Sequence, residues 1–225
     1  MNKQLPLSLG HRVALGDSDF LVAPCNKDAV AWIDRWPDWP SPMLVVYGPA
    51  QCGKTHLAHV WQARSDAMLV KPGVIGENAY PGLSSNVPNC VIDDVSESVD
   101  ERALLYLHNT LKETGGYLLI TSRKPPIRWH FELADLGSRM RASPTVSVRQ
   151  PDDELISALL IKLFTDRQLH VGADVIGFLV TRIERSFSGA NQIVALLDEA
   201  ALASHRGITI PLAREIIRNL EKKGN

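Results

Sequence analysis

Residues 48–55 form the segment of this 225-residue chain that is best suited to chemistry. They fit the pattern GxxxxGK[ST] and read Gly48, Pro49, Ala50, Gln51, Cys52, Gly53, Lys54 and Thr55. In such a loop, glycines let successive backbone N–H groups face one anion, and the following helix adds its dipole. The lysine can reach the β- and γ-phosphates of a nucleotide, and the threonine hydroxyl can hold Mg²⁺. The pattern predicts nucleotide binding, and a Gly-rich turn without a ligand is the alternative.

Two adjacent acids, Asp93 and Asp94, close a later apolar segment and are natural partners of this loop. The first acid can hold Mg²⁺ directly or through water, and the second can polarise an attacking water. The alternative is a pair of acids that cap a strand and face solvent. His56 is assigned to the nucleotide site, and a position on a helix surface or in the core is the alternative.

Cys52 admits two interpretations. A thiol at a helix N-terminus can have a lowered pKa and act as a redox sensor. The simpler interpretation, a small residue tolerated at a variable position of the loop, is favoured.

The elements that would position these residues follow from apolar runs and helical periodicity. Strands are predicted at 43–47, 67–71, 89–92, 117–122 and 145–148, and helices at 27–36, 54–65 and 99–114. Asn26 is a candidate N-cap of the first helix. Apolar strands that lack alternation and are separated by helices predict an α/β fold with a doubly wound parallel sheet.

From Pro151 onward the pattern changes to helices alone, at 152–168, 173–185, 189–205 and 211–222. We therefore expect a flexible tail at 1–10, a nucleotide-binding α/β domain at 11–150 and a small all-helical domain at 151–225.

The composition excludes several classes of protein. With 24 Lys+Arg against 25 Asp+Glu, the net charge of −1 gives no overall field for nucleic acid or an anionic membrane. The 3 cysteines lie far apart and form no CxxC pair, which argues against disulfides and zinc. Because no apolar run is long enough for a signal peptide or a membrane span, we expect a cytoplasmic protein with no membrane contact.

Taken together, these motifs resemble those of the AAA+ ATPases, in particular the bacterial initiator DnaA and its shorter regulatory relatives of the Hda type. Asp93 and Asp94 match Walker B, residues 119–122 match the sensor 1 strand, and residues 136–140 match the arginine-finger segment. The resemblance implies an AAA+ P-loop fold in which residues 151–220 form the lid, with ATP or ADP and Mg²⁺ as cofactors. It places Phe20 and Val22 near the adenine and Ser122 at sensor 1. It also makes Arg139 a finger that acts in trans on a neighbouring subunit's nucleotide.

The sequence departs from the DnaA pattern at two positions. Arg123 stands where sensor 1 is followed by an acid, and Asn191 stands where the lid's sensor 2 arginine should fall. Losing a lid cation removes one contact to the phosphates. These departures predict a nucleotide-controlled switch with at most weak intrinsic ATPase activity.

The N-terminal residues Gln4, Leu5, Pro6 and Leu7 resemble the short peptide by which bacterial proteins dock on the DNA polymerase III sliding clamp, the β subunit. The glutamine would hydrogen-bond at a pocket rim and the leucines would fill an apolar groove. An apolar tail that merely begins the fold is the alternative. Because the chain stops after the fourth lid helix, where initiators carry a helix-turn-helix domain, no direct sequence-specific DNA binding is expected.

The resemblance implies a bacterial, clamp-associated negative regulator of replication initiation that stimulates hydrolysis of DnaA-bound ATP. Two other functions stay open. One is a helicase-loader-like ATPase that binds single-stranded DNA and a replicative helicase, and the other is a DnaA-related localisation adaptor with a structural nucleotide. The sequence also leaves open whether the protein forms a homo-oligomer.

Overall fold

A five-stranded parallel sheet organises the first part of the chain. Its order is β2-β3-β4-β1-β5 and every pairing is parallel. The strands are β1 (Met43–Tyr47), β2 (Met68–Val70), β3 (Asn89–Val95), β4 (Tyr117–Ser122) and β5 (Thr145–Ser147). The computed structural model describes residues 21–71, 89–96, 99–204 and 206–223. This topology confirms the predicted parallel sheet.

Helices cover both faces of the sheet, and successive residues of the inner strand β1 point to opposite faces. Met43 and Val45 of β1 join the apolar cluster beneath α3 (Glu101–Thr114) and α4 (Ala134–Ala142). Leu44 and Val46 join the cluster beneath α1 (Lys27–Asp34) and α2 (Lys54–Ser65). Burial on both faces explains why these strands read as continuous apolar runs.

Several boundaries differ from the predictions for local chemical reasons. α3 begins at Glu101 because the Asp100 carboxylate caps it, accepting from the N–H groups of Arg102 and Ala103 at 3.0 and 3.1 Å. Asn26 is the N-cap residue of α1, as predicted, but its side chain makes no capping hydrogen bond to the helix. Its side chain instead accepts from Ala23 N and donates to the Leu21 carbonyl, which fixes the preceding turn. α4 was not predicted as a helix.

The chain divides into two compact units, residues up to 149 and residues from 150 onward. The second unit consists of α5 (Asp153–Asp166), α6 (Ala173–Val180), α7 (Phe187–Ser204) and α8 (Ile210–Lys223). The predicted helix over 173–185 is too long, because α6 ends at Val180. In the described part of the chain, no helix is long and apolar enough to cross a membrane.

Candidate functional site

The loop between β1 and α2 is anchored to its neighbouring strands through Gly48. Its N–H donates to the Ser122 carbonyl at the end of β4, at 3.1 Å. A Cβ atom at Gly48 would lie 2.1 Å from the Val148 carbonyl oxygen, so only glycine fits there. Further along, Gln51 and Gly53 adopt left-handed backbone angles, with φ of 62° and 102°. These turns lead the loop directly into the first residue of α2.

Lys54 lies across this loop. Its side chain is buried, and Nζ donates to the carbonyl oxygens of Gly48 and Pro49 at 3.0 and 2.7 Å. A weaker contact joins Nζ to Cys52 Sγ at 3.9 Å, so the ammonium group is held by groups of the loop itself. A phosphate bound to the loop would meet a cation that is already in position.

The structure brings Thr55 and the first acid of the predicted pair together. The Thr55 hydroxyl donates to Asp93 Oδ2 at 2.8 Å. On the other side, the hydroxyl of the buried Thr121 donates to Asp93 Oδ1 and accepts from the backbone N–H of Asp94 at 2.8 Å. Two threonines therefore fix the carboxylate, whose oxygens are ligands that Mg²⁺ prefers.

Asp94 is oriented differently from Asp93. Its backbone is left-handed, with φ of 52°, and its carboxylate binds the Arg123 guanidinium at 3.2 and 3.4 Å. Arg123 is the residue that replaces the acid of the DnaA pattern. Both side chains are largely exposed, so the pair adds little to stability. Its main consequence is that the predicted water-polarising carboxylate already has a cationic partner.

The titration of Cys52 argues against a reactive thiol. Burial raises the pKa of the thiol, and the nearby Lys54 ammonium only partly offsets that increase. A lowered pKa, as the redox interpretation required, is therefore not found. Burial also lowers the pKa of His56, and the nearby His59 makes a smaller contribution in the same direction. The His56 imidazole is therefore neutral at pH 7.

Arg139 lies on α4 within a network of its own unit. Its Nε and Nη2 atoms donate to the two Asp135 carboxylate oxygens at 2.8 and 2.9 Å. Its Nη1 atom donates to Asn109 Oδ1 and lies 3.3 Å from His108 Nδ1. Hydrogen bonding to Arg139 lowers the pKa of Asp135, and the same bonds raise the pKa of Arg139. The guanidinium is held in place and remains partly accessible, with 30% of the side chain exposed.

The other predicted site residues have separate environments. Val22 is half-buried and packs on the cluster beneath α1 and α2. Ser122 is fully buried; its hydroxyl donates to the Lys124 carbonyl, and its backbone carbonyl accepts from Gly48 N of the loop. Asn191 belongs to the second unit, where its side chain donates to the Phe187 carbonyl. Phe20 and the clamp-like residues 4–7 lie outside the described residues.

Two positioning residues were missed at the level of sequence. Thr121 was noted only as part of the strand, and Asp135 was not considered. For Thr121, the signal in the sequence is a polar residue within an apolar strand. For Asp135, it is an acid one helical turn before Arg139. Among the described residues, no group of three or more His, Cys, Asp or Glu side chains could hold a metal ion. A Mg²⁺ ion here would therefore depend on the nucleotide and on Thr55 and Asp93.

Comparison with known proteins identifies related sequences. The family model described as "Hda, lid domain" matches residues 152–217. The chromosomal replication initiator protein DnaA of Thermomicrobium roseum is 30% identical over 231 residues, covering 88% of this chain and 48% of the relative. The chain thus spans about half the length of that relative.

Solved structures share the same fold. Domain III of the Thermotoga maritima replication initiation protein DnaA superimposes with a TM-score of 0.76 at 16% identity, covering 89% of this chain and 94% of that one. AMPPCP-bound DnaA from Aquifex aeolicus gives 0.67 at 15% identity, covering 81% and 66%. The chain therefore has the AAA+ fold seen in these DnaA structures, and the fold class predicted from the sequence is confirmed.

Proposed function

We propose that this chain, a DnaA-related AAA+ protein of the Hda type, is a nucleotide-binding negative regulator of replication initiation that stimulates hydrolysis of DnaA-bound ATP. The observation that carries the proposal is the pairing of Thr55 with Asp93 beside a buried Lys54, in a chain whose lid matches the Hda family model. These residues form a phosphate and metal site of P-loop type.

Residues 48–55 would hold the phosphates of ATP or ADP. Lys54 would exchange its bonds to the Gly48 and Pro49 carbonyls for phosphate oxygens. Thr55 would coordinate Mg²⁺ through its hydroxyl, and Asp93 would bind the ion directly or through water. When bound, Mg²⁺ neutralises charge on the phosphates. The protein's own contribution is to fix Asp93 between two threonines before the ligand arrives.

Intrinsic hydrolysis by this site would be weak. Asp94, the residue placed to orient a water, is bound to Arg123. A carboxylate occupied by a guanidinium is poorly placed to accept a proton from water. The nucleotide would therefore act chiefly as a ligand that sets the conformation of the chain.

Arg139 would act on a neighbouring molecule's ATP. Its guanidinium is partly exposed, and Asp135 and Asn109 orient it. To contact a γ-phosphate, the Nε–Nη2 edge must exchange the Asp135 carboxylate for phosphate oxygens, which offer the same bidentate geometry. In this proposal Asp135 holds the finger in place until ATP-bound DnaA approaches.

Binding of the sliding clamp by Gln4, Leu5, Pro6 and Leu7 belongs to the same proposal. The near-zero net charge supports it, because a protein without an overall basic field gains proximity to DNA through a partner already on it. The experiment is a pull-down with the clamp, comparing the wild type with a Gln4→Ala/Leu5→Ala pair. We expect capture by the wild type alone. Failure of the wild type to bind would remove the clamp from the proposal and favour a loader-like function.

Nucleotide binding can be tested separately by thermal denaturation with ATP or ADP and Mg²⁺. Ligand at about 100 times its dissociation constant stabilises by about 2.7 kcal/mol, which raises the melting temperature by several degrees. Lys54→Ala should abolish the shift, whereas Lys112→Ala, at an exposed position of α3, should preserve it. No shift with either nucleotide would refute the site and favour a structural adaptor.

A further inference from the structure

Two arginines of the second unit lie over one aromatic ring, and a third lines the cleft beside it. The guanidinium carbon of Arg182, just beyond α6, lies 4.1 Å from the centre of the Phe178 ring, and that of Arg214 on α8 lies 5.6 Å from it. Arg218 and Ile217 complete the lining of a surface cleft of about 460 Å³. We call these five residues the arginine cleft. Its residues belong to the second unit, whereas the P-loop and Arg139 belong to the first.

The three cations have no carboxylate partner in the part of the chain that the structure describes. Three acids of the unit are paired with other cations, Asp153 with Arg185, Asp166 with Lys162 and Asp198 with Arg167. Among the residues that the structure describes, Arg182 forms hydrogen bonds through Nη1 alone, to the Phe178 carbonyl and the Thr181 hydroxyl. Its Nε–Nη2 edge, which is suited to bidentate contact with an oxyanion, is thus available.

The arrangement costs electrostatic energy unless an anion is present. Like charges that share one ring repel each other, and cation–π contacts offset only part of that repulsion. The same contacts restrict the guanidinium groups, so less conformational entropy is lost when an anion binds. The chain as a whole has no cationic excess, and the cleft is therefore a local feature.

The geometry points to a repeating anion. Arg214 and Arg218 are separated by one turn of α8, so their side chains emerge on the same face about 5–6 Å apart. Two such cations, together with Arg182 in the same cleft, match a ligand that carries one charge per repeat. Arginine favours phosphate because its planar fork pairs with two oxygens. The half-buried Phe178 ring adds an apolar surface for a sugar or base.

We propose that the arginine cleft binds the phosphodiester backbone of nucleic acid without reading its sequence. This direct contact goes beyond the proposed function, in which DNA is reached only through the clamp. It also does not depend on that function, because none of the cleft residues belongs to the nucleotide site or to the N-terminal tail. An acidic protein segment is the competing ligand, and the experiment below distinguishes it.

The test measures binding of the full chain to a fluorescent oligothymidine of about 20 nucleotides and to a duplex, as salt is varied. Three phosphate contacts predict that raising salt from about 50 to 200 mM weakens binding roughly 20-fold for the single strand and 40-fold for the duplex. The variant Arg214→Gln/Arg218→Gln should leave one contact, and the salt effect should fall to about threefold. Arg167→Gln, which removes a paired arginine of the same unit, serves as the control for charge.

Because Arg214 and Arg218 are exposed, the double variant should keep the wild-type melting temperature. Binding of the wild type that survives the double substitution, or that Arg167→Gln weakens equally, would overturn the proposal. So would the absence of binding at low salt. Displacement by polyglutamate at concentrations where inorganic pyrophosphate has no effect would assign the cleft to an acidic protein instead.

Discussion

Thr121→Val tests how the site holds its first acid. Valine keeps the shape of this buried side chain but removes the hydroxyl, which donates to Asp93 and accepts from the Asp94 N–H. A hydrogen bond to a charged group contributes about 1.5–3 kcal/mol and a neutral one about 0.5–1.5 kcal/mol. Because Asp93 is only partly buried, we take the lower part of these ranges, about 2–3 kcal/mol in total.

This loss should lower the melting temperature of the α/β unit by roughly 4–12 °C. It should also reduce the stabilisation by Mg²⁺-nucleotide more than that by nucleotide with EDTA, since Asp93 serves the metal. Both quantities can be read from thermal denaturation followed by circular dichroism, with and without Mg²⁺.

Thr145→Val is the matched control, because Thr145 also lies on a strand but is exposed and bonds only to the Ser143 carbonyl at 3.2 Å. Thr145→Val should change neither the melting temperature nor the effect of Mg²⁺ on nucleotide stabilisation appreciably. If Thr121→Val were as stable as the wild type and equally sensitive to Mg²⁺, the view that Thr121 positions Asp93 would be refuted.

Three further predictions concern titration and hydrolysis. Burial lowers the pKa of His108 below its usual 6.5, so its contribution to stability is present above about pH 6.5 and is lost as the pH falls. His108→Gln should therefore flatten the decline of the melting temperature with falling pH. An unchanged dependence of the melting temperature on pH would contradict this. Burial raises the pKa of Cys52, and it raises the pKa of Cys90 to about 12. A thiol reagent at pH 8 should therefore label both cysteines only when the protein unfolds. Rapid labelling of either cysteine in the folded protein would disprove this prediction. Arg123→Ala should raise intrinsic ATP hydrolysis in single-turnover assays by releasing Asp94, and an unaltered rate would argue against Asp94 as the water-orienting residue.

Much of the fold could be predicted because burial on both faces leaves a clear pattern in the sequence. β1, α2 and β4 were predicted with the boundaries they have, since each is an apolar or amphipathic run that ends at a turn residue. α4 was missed because its arginines and its glycine weaken the periodic pattern. Its helical state depends on tertiary packing of Leu136 and Met140.

The candidate site could be predicted only in part. The motif located Lys54, Thr55 and Asp93 because their spacing along the chain reflects their chemistry. The pairs Arg123–Asp94 and Arg139–Asp135 depend on side-chain directions that spacing alone does not specify. The arginine cleft is formed by residues of two helical regions that are separated along the chain, so no local sequence pattern predicts it.

The central claim is most directly tested by hydrolysis of DnaA-bound ATP, reconstituted with purified DnaA and clamp-loaded DNA. The wild type should accelerate hydrolysis, and Arg139→Ala should abolish most of that effect, since arginine fingers contribute about 10³–10⁵ in rate. Arg141→Ala removes an exposed arginine about half a helical turn from Arg139 on the same helix, and this variant should retain the stimulation. Unchanged hydrolysis with the wild type, or full stimulation by Arg139→Ala, would contradict the account.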